Sequence, residues 1–408
     1  MPKLVVASYC TTFLKSEMLH IYRQVTALRE VQTFVMTKKL QNQDRFPFDD
    51  IELIPKPRTN PFRHGWQKFV ERRPPIVYRG EYQALSNLLE RRGAELMHIY
   101  FGHTGVHLLP FIACWRRPCV VSFHGADVML KAANPDYAIK LRQVFHTAPL
   151  ILARSRSLER RLISLGCPPE RIRINRTGVP LAQFPMARRR APRDGAWRFL
   201  QACRLIPKKG LTTCLRAFAL FQKRNPRAEL FIAGKGPLQP TLETLITELG
   251  LNGHVHFTGF LSQADLLALY HRCHVFLHPS EMPADENQEG IPNSILEAMA
   301  TGMPVLATRH GGIPEAVEEG RCGALVAERD HAALAEEMFK ITRLPHTFGE
   351  MGLLASESVA LHFEQRAQIA ALESHYLEAV AIAHEAEARE SAPVPAVTPQ
   401  FAERLPVK

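Results

Sequence analysis

The chain is built on one rhythm that is interrupted once and then begins again. Short β-branched runs alternate with segments whose apolar residues recur at helical spacing. "KLVVASY" (3–9) reads as a first strand, and "SEMLHIYRQVTAL" (16–28) carries Met18, Ile21, Val25 and Leu28 on one helical face. A helix at 80–92, a strand near 96–100, a helix near 105–116 and the strand "CVVSFHG" (119–125) follow. "LILARS" (150–155), a helix ending near "LGCPPERI" and the strand-like "IRINRTGV" close this half. "PMARRRAPRDGA" (185–196) breaks the pattern with polar, proline-containing sequence, as a domain linker does.

Beyond the break, strands are expected at 198–205, 229–234, 254–260, 275–280, in "PVLAT" and at 323–327. Helices are expected at 210–224, 238–249, 262–271, 313–319, 332–343 and 361–385. Alternating strands and helices imply parallel sheets covered on both faces. The 408 residues exceed one comfortable hydrophobic core, so the division into two domains is also what size predicts. The expected layout is a domain over 1–185, a linker over 186–196, a second domain over 197–360, a terminal helix over 361–387 and a disordered tail over 388–408. In such folds ligands sit beyond the carboxyl ends of the strands, and two such domains make a cleft where those ends face each other.

Eight cysteines are scattered through apolar segments without a Cys-x-x-Cys pair or a zinc-finger spacing, which reads as buried free thiols in a reducing compartment. The apolar run at the amino terminus is too short for a signal peptide, and no 18-residue apolar stretch occurs, so a cytoplasmic protein is expected. A net charge of +11 fits nucleic acid, an anionic membrane or phosphorylated ligands. The basic residues are spread along the chain and no nucleic-acid motif is present, which argues against the first.

The richest segment is "EGIPNSILEAMATGMPVLAT" (289–308). Pro292 suits a first helical turn, and Asn293 or Ser294 is placed to cap it. Free backbone N–H groups near 291–295, with the positive end of the helix dipole, make a phosphate site. Glu289 precedes that helix and Glu297 lies about one turn inside it. The plain alternative is a capped helix with an acidic first turn. "RLIPKKG" (204–210) puts Arg204 and Lys209 at a strand end, where a forked cation and a point charge neutralise a diphosphate. Lys208 reads as part of a solvated loop. "AGKGP" (233–237) supplies Gly234 and Gly236 after another strand, a weak signal alone. In the first half, His103 and His124, with Asp127, sit at strand ends as candidate polar walls of a cleft. "PKPRTNPFRHGWQKFVERRPP" (55–75) interleaves six Lys/Arg between Lys56 and Arg73 with Phe62, Trp66 and Phe69. That pattern suits an anionic lipid surface or a charged acceptor, and equally a solvated loop with anchoring aromatics.

Taken in order, "FHGAD", "RLIPKKG", "AGKGP", "HFTGF", Glu289-x7-Glu297, "GGIPEAV" (311–317) and "GALV" (323–326) resemble family 4 of the retaining glycosyltransferases over about residues 3 to 380. The resemblance implies the GT-B fold: two doubly wound Rossmann-like domains facing across a cleft, with a C-terminal helix packing back on the N-terminal domain. It implies that Arg204 and Lys209 hold the donor diphosphate, that Glu289 binds the transferred sugar, and that Gly290, Ile291, Pro292, Asn293 and Ser294 present backbone to sugar and phosphate. It further implies that Glu297 binds ribose, that Phe260 and Leu261 border the base, and that His124 sits beside the sugar on the acceptor side. No metal motif and no cofactor are implied, only a nucleoside diphosphate sugar as co-substrate and a glycan or lipid-linked acceptor. "YCTTFLKSEM" stands where many members have a glycine-rich loop, and "EGIPNS" is closest to exopolysaccharide and lipid-linked glycan enzymes. A nucleotide-sugar epimerase of the same fold is the competing enzyme class. It needs acid/base carboxylates on both domains, for which the first half offers only Asp127 and Glu17.

Overall fold

The computed structural model describes residues 2–15, 18–55, 60–125, 128, 135–284 and 288–391. Asp127 and Glu17 lie outside the described residues, as does most of the expected tail.

The first sheet contains β1 (Val5–Phe13), β2 (Gln32–Leu40), β3 (Ile51–Leu53), β4 (Leu96–Tyr100), β5 (Cys119–Phe123), β6 (Leu150–Ala153) and β7 (Ile172–Ile174), in the order β3-β2-β1-β4-β5-β6-β7. The second contains β8 (Arg198–Ala202), β9 (Glu229–Ala233), β10 (Val255–Gly259), β11 (Val275–His278), β12 (Val305–Thr308) and β13 (Gly323–Val326), in the order β10-β9-β8-β11-β12-β13. Every pairing is parallel. Both sheets are wound outward from their first strand in two directions, which opens a crevice between β1 and β4 and another between β8 and β11. The inner strands β4, β5, β6, β11 and β12 are buried at every position, as helices on both faces require.

Several elements differ from expectation. β2, β3 and the helices Pro135–Thr147 and Pro345–His362 carry no expected counterpart, and the expected helix at 313–319 is a single 3₁₀ turn, Ile313–Glu315. β2 alternates apolar and polar residues only in part, because Phe34, Val35 and Met36 are buried consecutively between two helical layers. Pro345 opens its helix at a first-turn position, where proline's missing N–H costs nothing. The last helix runs Gln365–Ser391, beyond the expected start of the tail.

That last helix returns to the first sheet. Leu372, Tyr376 and Ala379 pack with Val6, Val31, Leu96, Val120, Leu150 and Leu152 in one buried cluster. The Tyr376 hydroxyl hydrogen-bonds His98 Nδ1 at 2.7 Å. Glu373 Oε1 accepts the N–H groups of Arg29 and Glu30 at 2.6 and 2.7 Å. The chain thus crosses between the domains twice, side by side, where Val179 N–H donates to Phe363 O and Gln365 N–H to Val179 O. Tyr376→Ala should cost about 3–5 kcal/mol, through an aromatic-sized cavity, and lower the urea midpoint of the N-terminal domain. An unchanged midpoint would show that the helix does not complete that core.

Candidate active site

The carboxyl ends of both sheets face one cleft. On the C-terminal side, β8 leads through an exposed Arg204 into the 3₁₀ turn Pro207–Lys209. Gly210 ends that turn at φ 59°, and a Cβ there would lie 1.7 Å from the Pro279 carbonyl oxygen. Only glycine allows so close an approach. Gln201 Nε2, buried on β8, donates to Lys209 O at 2.7 Å and fixes the turn from below. Lys208 and Lys209 therefore both turn inward and are buried, which corrects the expectation of a solvated Lys208.

The two lysines meet Glu289. Lys209 Nζ lies 2.6 Å and Lys208 Nζ 3.6 Å from Glu289 Oε1, with all three side chains at most 10% exposed. Burial by itself raises a carboxyl pKa, but here the Lys209 and then the Lys208 ammonium outweigh it and hold Glu289 down at about 2. Desolvation in turn lowers Lys208 below the ordinary lysine value, against the pull of Glu289. The backbone of Glu289 is held as firmly. Its N–H donates to His310 Nε2 at 3.1 Å, and His310 Nδ1 pairs with Glu328 Oε1 at 2.7 Å. His310 is thus a neutral tautomer with its proton on Nδ1.

The helix Asn293–Ala300 starts immediately after, with Pro292 at its cap and no side-chain cap, so neither Asn293 nor Ser294 caps it as expected. The N–H groups of Gly290, Ile291, Asn293 and Ser294 have no hydrogen-bond partner among the described residues. Four open donors at a helix start form an anion site. The Arg204 guanidinium likewise makes no hydrogen bond or ion pair among the described residues.

Gly234 and Gly236 serve a different part. A Cβ on them would lie 1.9 Å from the Cys203 and 2.4 Å from the Leu205 carbonyl oxygen, so they let the β9 turn press against the loop that carries Arg204. Phe260 is half exposed at the rim, with the Arg45 guanidinium of the other domain 5.6 Å above its ring. Leu261 and Ile291 are partly buried and pack against the second-domain core.

On the N-terminal side, Phe101 stands between the two candidate histidines, 5.6 Å from exposed His103 and 4.4 Å from His124. His124 Nδ1 lies 2.9 Å from Arg154 Nη1 and 3.2 Å from His20 Nε2, and its Nε2 lies 3.0 Å from Ser122 Oγ. Burial, then the Arg154 cation, pushes His124 well below the ordinary histidine value. A neutral ring follows, accepting at Nδ1 and donating from Nε2 to Ser122.

The domains touch across the cleft. A Cβ on Gly125 (φ 114°) would lie 3.1 Å from Gln288 O, and one on Gly290 would lie 3.6 Å from His124 O. Glu315 accepts the N–H groups of Arg156 and Ser157 at the start of the helix Arg156–Ser164 in the opposite domain, and Gln288 Nε2 donates to Ser157 Oγ. Glu297, expected to face a ligand, is buried and paired with Arg23 Nη1 of the N-terminal domain at 2.8 Å. His310, Glu328, Arg23, Arg154 and Glu315 thus join the site without having been singled out, and Lys208 joins it from a motif that had been noted. Of those not singled out, only Glu315 carried a local signal, in "GGIPEAV".

Two doubly wound domains with strand ends opposed across a cleft, and cations beside a bare helix start, define the GT-B class. Residues 32–183 match the family model "Glycosyltransferase Family 4" and residues 185–351 match "Glycosyl transferases group 1". The chain is 34% identical over 277 residues to the colanic acid biosynthesis glycosyltransferase WcaL of Salmonella typhimurium, covering 67% of this chain and 68% of that one. It is 31% identical to the amylovoran biosynthesis glycosyltransferase AmsK of Erwinia amylovora, over 67% of each. Sucrose-phosphate synthase of Thermosynechococcus elongatus superposes with a TM-score of 0.74 at 18% identity, over 93% of this chain and 100% of that one. Anabaena HepE in complex with UDP-glucose superposes with a TM-score of 0.72 at 18% identity, over 92% and 99%. The chain belongs to glycosyltransferase family 4.

The Glu289 ion pair has a pH signature. Its pKa is lowered from 4.5 to about 2 on folding, so its stabilisation is full above pH 4.5 and is lost as pH falls toward 2. The difference in unfolding free energy between wild type and Glu289→Gln should stay level from neutrality down to about pH 5 and shrink below that. A difference that widens on acidification would exclude the pairing.

Proposed function

We propose that the chain is a retaining, metal-independent hexosyltransferase. It moves a hexose from a nucleoside diphosphate sugar to a hydroxyl of a glycan, lipid-linked or small-molecule acceptor in surface polysaccharide or glycoconjugate biosynthesis. The observation that carries this reading is the buried Glu289–Lys209–Lys208 group beside the open N–H groups of 290–294. A carboxylate held near pKa 2 is a poor proton acceptor, so Glu289 binds sugar hydroxyls instead of relaying protons. Lys209, Arg204 and the helix start meet the charge that develops on the departing diphosphate, the task a metal ion performs elsewhere. The bond from the anomeric carbon to the phosphate oxygen breaks, the acceptor oxygen bonds that carbon on the same face, and the acceptor proton passes to the leaving phosphate. His124 walls the sugar on the acceptor side, with His103 toward the acceptor. Phe260 and Leu261 border the base and Glu297 the ribose. The biosynthetic roles named for WcaL and AmsK and the UDP-glucose bound to HepE support this choice of substrates.

The acceptor side also carries a surface suited to anionic lipid. The helical segments Pro61–Gly65 and Trp66–Val70 leave Phe62, Trp66, Phe69 and Val70 exposed, at 88%, 58%, 71% and 57%. They stand within nine residues of one another, in an α-helical turn that runs into a π-helical one, among Arg63, Lys68, Arg72 and Arg73. The segment follows β3 and so leaves the sheet at the edge that faces the cleft. No helix among the described residues is long and apolar enough to cross a membrane, and peripheral docking on the inner face of the plasma membrane fits this surface.

Two measurements test these readings. Glu289→Gln and Lys209→Met should each lower kcat at least about 100-fold in folded protein, while EDTA leaves wild-type transfer unchanged; full turnover by either variant, or loss of activity in EDTA, overturns the assignments. Donor alone should be hydrolysed slowly, whereas an epimerised sugar nucleotide would favour the epimerase. In flotation with phosphatidylserine-containing vesicles, Trp66→Ser/Phe69→Ser should lose most of the bound fraction and keep transfer to a soluble acceptor; undiminished flotation removes this surface from the reading.

A further inference from the structure

Glu297 stands one turn inside the helix whose start faces the cleft, and both its carboxylate oxygens are engaged. Arg23 Nη1 donates to Oε1 at 2.8 Å and the Tyr270 hydroxyl donates to Oε2 at 3.2 Å. All three residues are more than nine-tenths buried. Burial, then the Glu297 charge, pushes the Tyr270 hydroxyl well above its ordinary value, so it remains a donor. The Arg23 guanidinium lies 5.4 Å from the centroid of the Phe184 ring, on the segment that leads from one domain into the other. Its second terminal nitrogen, Nη2, is buried and has no hydrogen-bond partner among the described residues.

A buried donor without a partner is costly, and it survives where something else meets it. A carboxylate offers about four lone-pair positions. Arg23 and Tyr270 take one each, and about two remain, the number that two vicinal hydroxyls require. Any ligand that covers Glu297 also removes its water, and a carboxylate without a counter-charge resists that burial.

We propose that Arg23 is a donor-positioning residue supplied by the opposite domain. It carries the counter-charge of Glu297 and holds its carboxylate plane, so that the remaining lone pairs meet the 2′- and 3′-hydroxyls of a nucleotide ribose. Arg23 lies on the helix Leu19–Val25 and Glu297 on Asn293–Ala300, so the ribose site is complete only while the domains are apposed. Recognition of the nucleoside and closure of the cleft are then one event. This inference rests on the nucleotide-sugar reading of the site and names the residue that completes it.

The test is calorimetric titration with UDP, GDP and ADP. The tightest of these and its 2′-deoxy counterpart are then titrated into wild type, Arg23→Met, Arg23→Lys, Glu297→Gln and the Arg23→Met/Glu297→Gln double variant. Wild type should prefer the ribonucleotide. Arg23→Met should weaken it at least about tenfold, as loss of a charged hydrogen bond does, and weaken the 2′-deoxy compound, which keeps only the 3′-hydroxyl, by clearly less, so that the preference narrows. The double variant should bind no more weakly than Glu297→Gln alone, and in transfer assays Arg23→Met should raise donor KM with kcat nearly kept. Equal weakening of both nucleotides, with a fall in Tm, would make Arg23 merely structural and overturn the proposal. Arg23→Lys, which keeps the charge without the fork, should be intermediate and decides the matter if Arg23→Met does not fold; a preference equal to wild type's overturns it. If Glu297→Gln keeps the full ribose preference, or wild type has none, the ribose reading of Glu297 itself falls. If Glu297→Gln loses the preference while Arg23→Met keeps it, only the assignment to Arg23 falls.

Discussion

The cleft depends on keeping carboxylates charged where water is scarce. Glu289 and Glu297 are both buried, and each is matched by a cation from a separate segment: Lys209 and Lys208 from the loop after β8, Arg23 from the opposite domain. Removing a carboxylate from water costs several kcal/mol unless a counter-charge and hydrogen bonds replace the hydration shell. The surrounding architecture supplies those replacements. Gln201 holds the lysine turn, Gly210 lets it press against Pro279, and His310 with Glu328 anchors the Glu289 backbone.

The two carboxylates differ in what binds them. Glu289 is neutralised within its own domain, so its charge and position survive any change in the relation between domains. Glu297 is neutralised across the cleft, and its environment changes when the domains part. Glu315, which accepts two N–H groups at the start of an N-terminal-domain helix, and the close approach of Gly125 to Gln288 belong to the same apposed state. The C-terminal helix spans both units by packing Leu372 and Tyr376 on the first sheet. The two domains therefore meet at a double crossover and at a polar cleft, the arrangement expected of domains that open and close around a ligand.

Much of this was legible along the chain. The doubled alternation of strands and helices foretold two parallel sheets, because a strand buried on both faces must be apolar nearly throughout. The helix start after Glu289 was readable from Pro292 and the small residues around it. What was missed follows from the same physics. β2 lost its alternating pattern through burial between layers. Asn293 and Ser294 are common capping residues, yet the donors they would have satisfied stand open to the cleft. Lys208 and Lys209 are adjacent and look alike, and burial of both was decided by the turn that Gly210 allows.

Sequence by itself determined the class of fold, the family and the segments from which the site is drawn, since these rest on local periodicity and on short motifs with local geometry. Only the tertiary structure decided the partners of the charged groups. Arg23 and Glu297 are separated by most of the chain, and neither carries a local mark of the other. Their pairing, like that of Glu289 with two lysines, arises because a buried carboxylate must find a cation in space, and neighbourhood in space is set by the packing of domains.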